Sequence, residues 1–486
     1  MENKEKELKD LSEQRVEHSL SLRKQKLNKF LLKRRLGLND NNYSIKKEEI
    51  IVKEELKNKK FNNLSDLLEF SSKILGDEKS DINEIKFIIY LLKITEIKND
   101  KGEIGKSNII KEISKNIIKY IDNLVIVDEL LSILINWSYY LSIEMNMNLL
   151  TNEYMQIYSK ITDKYFDDRV IFNDLITLLG NLADDNILAQ KIFYETKLFE
   201  EIYNLARNPK APDHKKNISI WFLAIFTNGI HKNNNFINNI ELFKNIIDIM
   251  IYNLQIEEYS FYCLYSLGNL SEIDSIIEYL IKQKDLFIFI FEKNKPDYYT
   301  IANKILVNIT SFNEEVNLYL IKDYRIIPYI LKLIDSSSNV IKGQIIFLLG
   351  NIIENKPSEV NRILDHYGIY DKIFSFLNSP FVEILDKVIY ILNIIMISLN
   401  NEGIFILYKK NIHLKLINIL KNDYKRDIII KTIDAVIEFL QKDTQDGIIK
   451  QSFIDNGLKE VLNNMEFDRN DAEIVFKTSE ILKNYF

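Results

Sequence analysis

Residues that break helices are scarce in this chain: it has 6 prolines and 13 glycines in 486 residues, which favours helix over most of its length. Its single cysteine, Cys263, excludes an internal disulfide and any thiolate zinc site, as suits a reducing compartment. No run approaches the roughly 18 apolar residues of a membrane span, and Met1 to Asp10 is too charged for a secretory signal. A soluble intracellular protein is expected. The five histidines, His18, His214, His231, His366 and His413, are scattered, with no metal-binding pair and no nucleophile partner. Gly102 to Ser107 places two residues between its glycines where a phosphate loop needs four. Neither an enzyme nor a cofactor is expected.

What the chain has in quantity is apolar helix. Hydrophobic residues make up 46% of it. The stretch Ile-Thr-Leu-Leu-Gly-Asn-Leu-Ala-Asp-Asp-Asn, Ile176 to Asn186, is an apolar helical face that closes on Asn181 and then breaks into polar residues. The pattern recurs at Asn136, Asn181, Ile225, Asn269, Asn308, Asn351, Ile394 and Ile437, at intervals of 45, 44, 44, 39, 43, 43 and 43 by subtraction. A fixed period in the 40s with helical hydrophobicity is the signature of a solenoid, whose units bury their apolar faces only against their neighbours. Length alone would suggest about three domains; the repeats replace that expectation with one array. Within a unit, Leu318 to Ile321 ends one helix, Pro328 opens the next, and Val340 to Ile353 is a long apolar helix. The last long helix is read over Ile430 to Leu440, with Ile430, Ile433, Ile437 and Leu440 as its stripe.

Charge divides the chain. The formal net charge is −6, but Arg15 to Arg35 holds eight Lys or Arg against one acid, Glu17, giving +7 there and −13 for the remainder. Val16, Leu20, Leu27 and Leu31 form one stripe of a helix inside that basic segment. The expected organisation is a basic arm at 1–40, a linker at 41–60, and an array of about ten repeats at 61–486. A basic arm on an acidic body invites an acidic partner or contact with the body itself. The acidic array argues against nucleic acid, and no membrane partner is expected.

An asparagine repeated at one-unit spacing presents a donor and an acceptor together, which is what holding the backbone of an extended peptide needs. An aromatic ring one turn earlier can stack on the stem of a Lys or Arg. Ser132 with Asn136, Thr177 with Asn181, Trp221 with Ile225, Tyr265 with Asn269, Lys304 with Asn308, Phe347 with Asn351 and Tyr390 with Ile394 stand at these positions. In this the sequence resembles the importin-alpha family, armadillo adaptors in which Trp and Asn lie four apart on successive third helices. Leu22-Arg23-Lys24-Gln25-Lys26 and Leu32-Lys33-Arg34-Arg35 resemble the family's importin-beta-binding arm, and Gly457 to Phe486 resembles its final repeat.

The resemblance implies an all-α, armadillo-repeat, right-handed superhelical solenoid with a basic N-terminal arm, acting as a nuclear import adaptor that shuttles between cytoplasm and nucleus. It implies a larger cargo site in which Asn136 and Asn181 hold the peptide backbone, Asp185 takes a lysine and Trp221 stacks on a basic stem. It implies a smaller site at Asn308, Glu314, Phe347 and Asn351. Arg15, Arg23, Lys24, Lys26, Lys33, Arg34 and Arg35 would bind importin beta and, without it, occupy the groove. Cargo proteins with Lys/Arg-rich localisation signals, importin beta and an export receptor are the implied partners. The pattern is incomplete: Ser132, Thr177 and Ile225 replace family residues, and Gln344 and Lys387 stand where acids precede the aromatic. The alternative is an armadillo scaffold that has lost signal reading.

Overall fold

The computed structural model describes residues 61, 63–94, 104, 107–140, 146–232, 239–312, 314–322, 326–336, 338–355, 367–422, 424–443, 447–468 and 471–486. The basic arm, with Arg15, Arg23, Lys24, Lys26, Lys33, Arg34 and Arg35, and the linker at 41–60 lie outside the described residues.

Among the described residues every regular element is helical. A long helix of each repeat recurs as α1 (Ile82–Ile94), α2 (Leu124–Tyr140), α3 (Arg169–Ala183), α4 (Asp213–Phe226), α5 (Glu257–Leu270), α6 (Tyr299–Thr310), α7 (Asn339–Asn355), α8 (Val382–Ser398), α9 (Arg426–Gln441) and α10 (Ala472–Tyr485). Further helices connect each to the next, as Ile187–Tyr194 and Lys197–Arg207 connect α3 to α4. The positions that gave the period, from Asn136 to Ile437, all fall on α2 to α9. This three-helix unit, repeated head to tail, is the armadillo solenoid.

The chain divides into two compact units, Met1–Asn269 and Leu270–Phe486. In the first, α1 packs on α2, α2 on α3 and α3 on α4. In the second, α6 packs on α7, α7 on α8, α8 on α9 and α9 on α10.

Helix α3 shows how sequence makes a unit. Asp168 starts it by accepting the backbone N–H groups of Val170 and Ile171 at 3.0 and 2.9 Å. Its apolar residues then occupy nearly every face: Ile171, Phe172, Leu175, Ile176, Leu178, Leu179 and Leu182 are all buried. A helix apolar all round belongs inside, and α3 lies between α2 and α4. The shorter Lys197–Arg207 buries a single stripe, Leu198, Phe199, Ile202 and Ala206, and turns its charged residues outward. Phe199 meets Phe226 of α4 at 4.8 Å and Phe222 at 6.3 Å between ring centroids, which fixes how this helix sits on α4.

Two details depart from the sequence expectation. Ile326–Ile334 starts two residues before Pro328, which lies in the first turn, where its missing N–H has no helical partner. The helix around Ile430 to Leu440 is α9, and α10 follows it as a further long helix. In α9 the most buried face runs through Ile429, Ile433, Val436 and Phe439, while Ile430 and Ile437 are half-buried at its margin. A helix with neighbours on both sides, α8 and α10, buries more than one stripe, so spacing alone could not rank its apolar residues.

Candidate functional site

The seam formed by successive long helices carries the polar residues singled out in the sequence. In the first unit, Ser132 and Asn136 lie on α2, Thr177 and Asn181 on α3, and Trp221 and Ile225 on α4. Asn136 is half-buried. Asn181 is buried and its amide Nδ2 donates backward to α2, at 3.4 Å to the Ile135 carbonyl and 3.2 Å to Ser138 Oγ. These bonds tie α3 to the C-terminal part of α2, where the Ile135 carbonyl also accepts the Ser138 hydroxyl at 2.9 Å. The Thr177 hydroxyl donates to the Asn173 carbonyl at 2.7 Å inside its own helix.

Trp221 is only 4% exposed. The Cζ3–Cη2 edge of its ring meets α3 at Gly180, where an added Cβ would fall 2.5 Å from the indole. Gly180 is there because the ring takes the space. The structure therefore sets Trp221 into the α3–α4 interface, where it contributes packing.

Asp185 follows α3 in a left-handed backbone conformation, φ +52°. Its Oδ1 lies 2.7 Å from Nζ of Lys232, which comes from the turn after α4. The two side chains retain 31% and 41% of their exposure. The neighbouring carboxylate, Asp184, is buried and accepts a hydrogen bond from Asn228 Nδ2 at 2.7 Å. Gly229, at φ +74°, comes so close that a Cβ there would fall 2.1 Å from Asp185 Oδ1. The family resemblance implied Asp185 as a lysine acceptor; Lys232, Asn228 and Gly229 were missed. Their signal was the Asn-Gly step one repeat beyond Asp184-Asp185.

In the second unit the same wiring recurs. Asn351 Nδ2 donates back to α6, at 3.1 Å to the Val307 carbonyl and 3.3 Å to Thr310 Oγ1. Asn308 Nδ2 donates to Ser271 Oγ at 2.8 Å. The cations are also drawn inward. Lys387 of α8 sits over the half-buried Phe347 ring of α7, with Nζ 5.3 Å from the centroid. Lys431 of α9 lies 5.8 Å over Tyr390 and 2.7 Å from Asp386, both on α8. Lys304 pairs with Glu272 at 2.5 Å, and Lys477 of α10 pairs with Asp434 of α9. The side chain of Glu314 lies outside the described residues.

Other reactive groups are shut away. The Cys263 thiol is buried and its ionisation is pushed up by desolvation. His413, ringed by Tyr408, Phe439 and Phe453, bonds Ser452 Oγ at 3.0 Å, and burial pulls its pKa down to about 4. Among the described residues no three His, Cys, Asp or Glu side chains come together as a metal site, and no helix is long and apolar enough to cross a membrane.

Comparison with known proteins bears on the fold. An engineered protein of known crystal structure is similar over 86% of this chain and 98% of its own, with a TM-score of 0.65 and 17% identity. A designed armadillo repeat protein in complex with the peptide (KR)4 is similar over 49% of this chain and 98% of its own, at a TM-score of 0.43 and 18% identity. Computationally designed armadillo repeat proteins for modular peptide recognition are similar over the same shares, at a TM-score of 0.44 and 18% identity. The family model of the pre-mRNA-splicing helicase BRR2 plug domain matches residues 408–469, a small part of the chain centred on α9. No curated protein matches the chain in sequence.

Proposed function

We propose that this armadillo solenoid is a nuclear import adaptor: it takes Lys/Arg-rich segments of cargo proteins on the seam of its first unit and binds importin beta through its basic arm. The observation that carries the reading is Asp185. Its carboxylate is placed by two loops and engages a lysine ammonium at 2.7 Å, the interaction a basic peptide would make there. Asn136 and the carbonyl oxygen of the Asn181 side chain supply groups for a peptide backbone. Trp221 acts by holding α4 against α3. The arm, with Lys33, Arg34 and Arg35, competes with cargo at high effective concentration until importin beta removes it. Shuttling between cytoplasm and nucleus, and return by an export receptor, follow from this role.

The test is fluorescence anisotropy of a labelled Lys/Arg-rich peptide against the full chain, a form lacking residues 1–40, and the same form carrying Asp185→Lys. Tighter binding on truncation and its loss in Asp185→Lys, with helicity and melting unchanged, are expected. Equal affinity for all three forms would sink the proposal.

A second reading, a scaffold that has lost signal reading, draws on the other unit. There Lys387 and Lys431 already cover Phe347 and Tyr390, so a second basic cluster finds those rings occupied. In that reading Asp185→Lys leaves partner binding unaltered.

A further inference from the structure

Asp185 and Lys232 clasp two consecutive repeats of the first unit, and the acid's half of the clasp is built independently of the lysine. The left-handed backbone at Asp185 is one that residues other than glycine seldom adopt. Next to it, Asn186 caps the helix Ile187–Tyr194 by accepting the Ala189 N–H at 3.2 Å, which anchors the turn. From the other side Asn228 holds Asp184, and Gly229 leaves the space that Asp185 Oδ1 occupies. Lys232, by contrast, reaches in from a three-residue turn and keeps 41% of its side-chain exposure.

We infer that Lys232 is an internal competitor for the cation that Asp185 takes from a basic peptide, and so a specificity-determining residue of the groove. The inference rests on the preceding reading of Asp185 as a lysine acceptor. Lys232 Nζ lies 2.7 Å from Asp185 Oδ1, so an incoming ammonium meets it at the same carboxylate, and two ammonium groups there repel. An isolated lysine on a partner exchanges one exposed ion pair for another and gains almost nothing. A run of Lys and Arg brings further contacts along the seam, so it displaces Lys232 where a single lysine does not. The clasp thus raises the threshold for basic ligands without closing the site, because a partly exposed pair is worth little.

The experiment titrates the form lacking residues 1–40 with two labelled peptides, (Lys-Arg)4 and a Gly/Ser peptide bearing one lysine. Wild type is compared with Lys232→Met, which keeps the aliphatic stem, Lys232→Gln as a second neutral form, Asp185→Asn, and the Asp185→Asn/Lys232→Met double variant. Both Lys232 variants are expected to bind (Lys-Arg)4 about two- to fivefold more tightly, the scale of one exposed ion pair, and to gain proportionally more for the single-lysine peptide. The double variant is expected to lose that gain. If Asp185→Asn weakens binding while neither Lys232 variant strengthens it, the competitor role is overturned and Asp185 remains a lysine acceptor. If neither Asp185→Asn nor Lys232→Met alters the affinity, Asp185 takes no part in binding and both readings fall.

Discussion

Both units hold lysines from long helices against acids of the preceding repeat, as Lys215 holds Asp167 in the first, but the first adds a looser pair. In the first unit Lys232 comes from a short turn and its side chain is 41% exposed. In the second, Lys431 and Lys477 come from within α9 and α10, and their side chains are 17% and 23% exposed. A lysine fixed to a packed helix can leave its partner only by changing rotamer in a crowded space. One on a turn has room to swing into water. The same kind of charge pair is therefore a lasting tie where the lysine is mounted on a packed helix, as for Lys431, Lys477 and, in the first unit, Lys215 of α4 with Asp167, and an exchangeable contact at Lys232. Recurrence of a residue pattern along a solenoid does not make the repeats equivalent as binding sites, because what decides is the element on which the competing cation is mounted.

The largest test of this contrast is Trp221→Ala. If the ring is a structural part of the α3–α4 interface, its removal destabilises the first unit by about 3 to 5 kcal/mol, as for buried aromatics generally, and Trp221→Phe destabilises it less. Urea unfolding followed by circular dichroism measures this. A variant of unchanged stability that binds basic peptide more weakly would restore Trp221 to a stacking role and make the first unit a conventional aromatic groove.

The fold was readable because the period of the apolar runs is a local property: each run from Asn136 to Ile437 falls on a long helix. Much of the site was not readable, for a physical reason. An asparagine on a helix surface looks the same in sequence whether its amide faces a ligand or the preceding repeat, and at Asn181 and Asn351 it faces the preceding repeat. Which face Trp221 uses depended on Gly180, 41 positions earlier, and the partner of Asp185 lay 47 positions later in a loop. Contacts between repeats have no short-range pattern to betray them. The arm residues and the side chain of Glu314 lie outside the described residues, so their part in the reading stands on sequence alone.

A smaller effect addresses what the two units share. Asn181→Ala and Asn351→Ala each remove a buried amide that ties its helix to the C-terminal part of the preceding long helix, and each is expected to lower stability by about 1 kcal/mol, the usual net worth of such a bond. Matching losses in urea unfolding would make the asparagine ladder a common structural tie. A clear loss at Asn351 with none at Asn181 would mean that the first unit has released its asparagine from structural duty, which sharpens the difference between the units.

The smallest effect is Lys387→Met. The ammonium over Phe347 is partly exposed, so its loss is expected to lower stability by only about 0.5 to 1 kcal/mol. It is not expected to create a second peptide site, because Lys431 still covers Tyr390 and holds Asp386, and Asn351 still donates to α6. Isothermal titration with (Lys-Arg)4 reads this as unchanged stoichiometry. A second binding event would show that one cation alone keeps the second unit shut. The mounting of that cation on a packed helix would then no longer distinguish it from Lys232, since substitution at a helical lysine would have opened its site as readily as substitution at Lys232 opens the first.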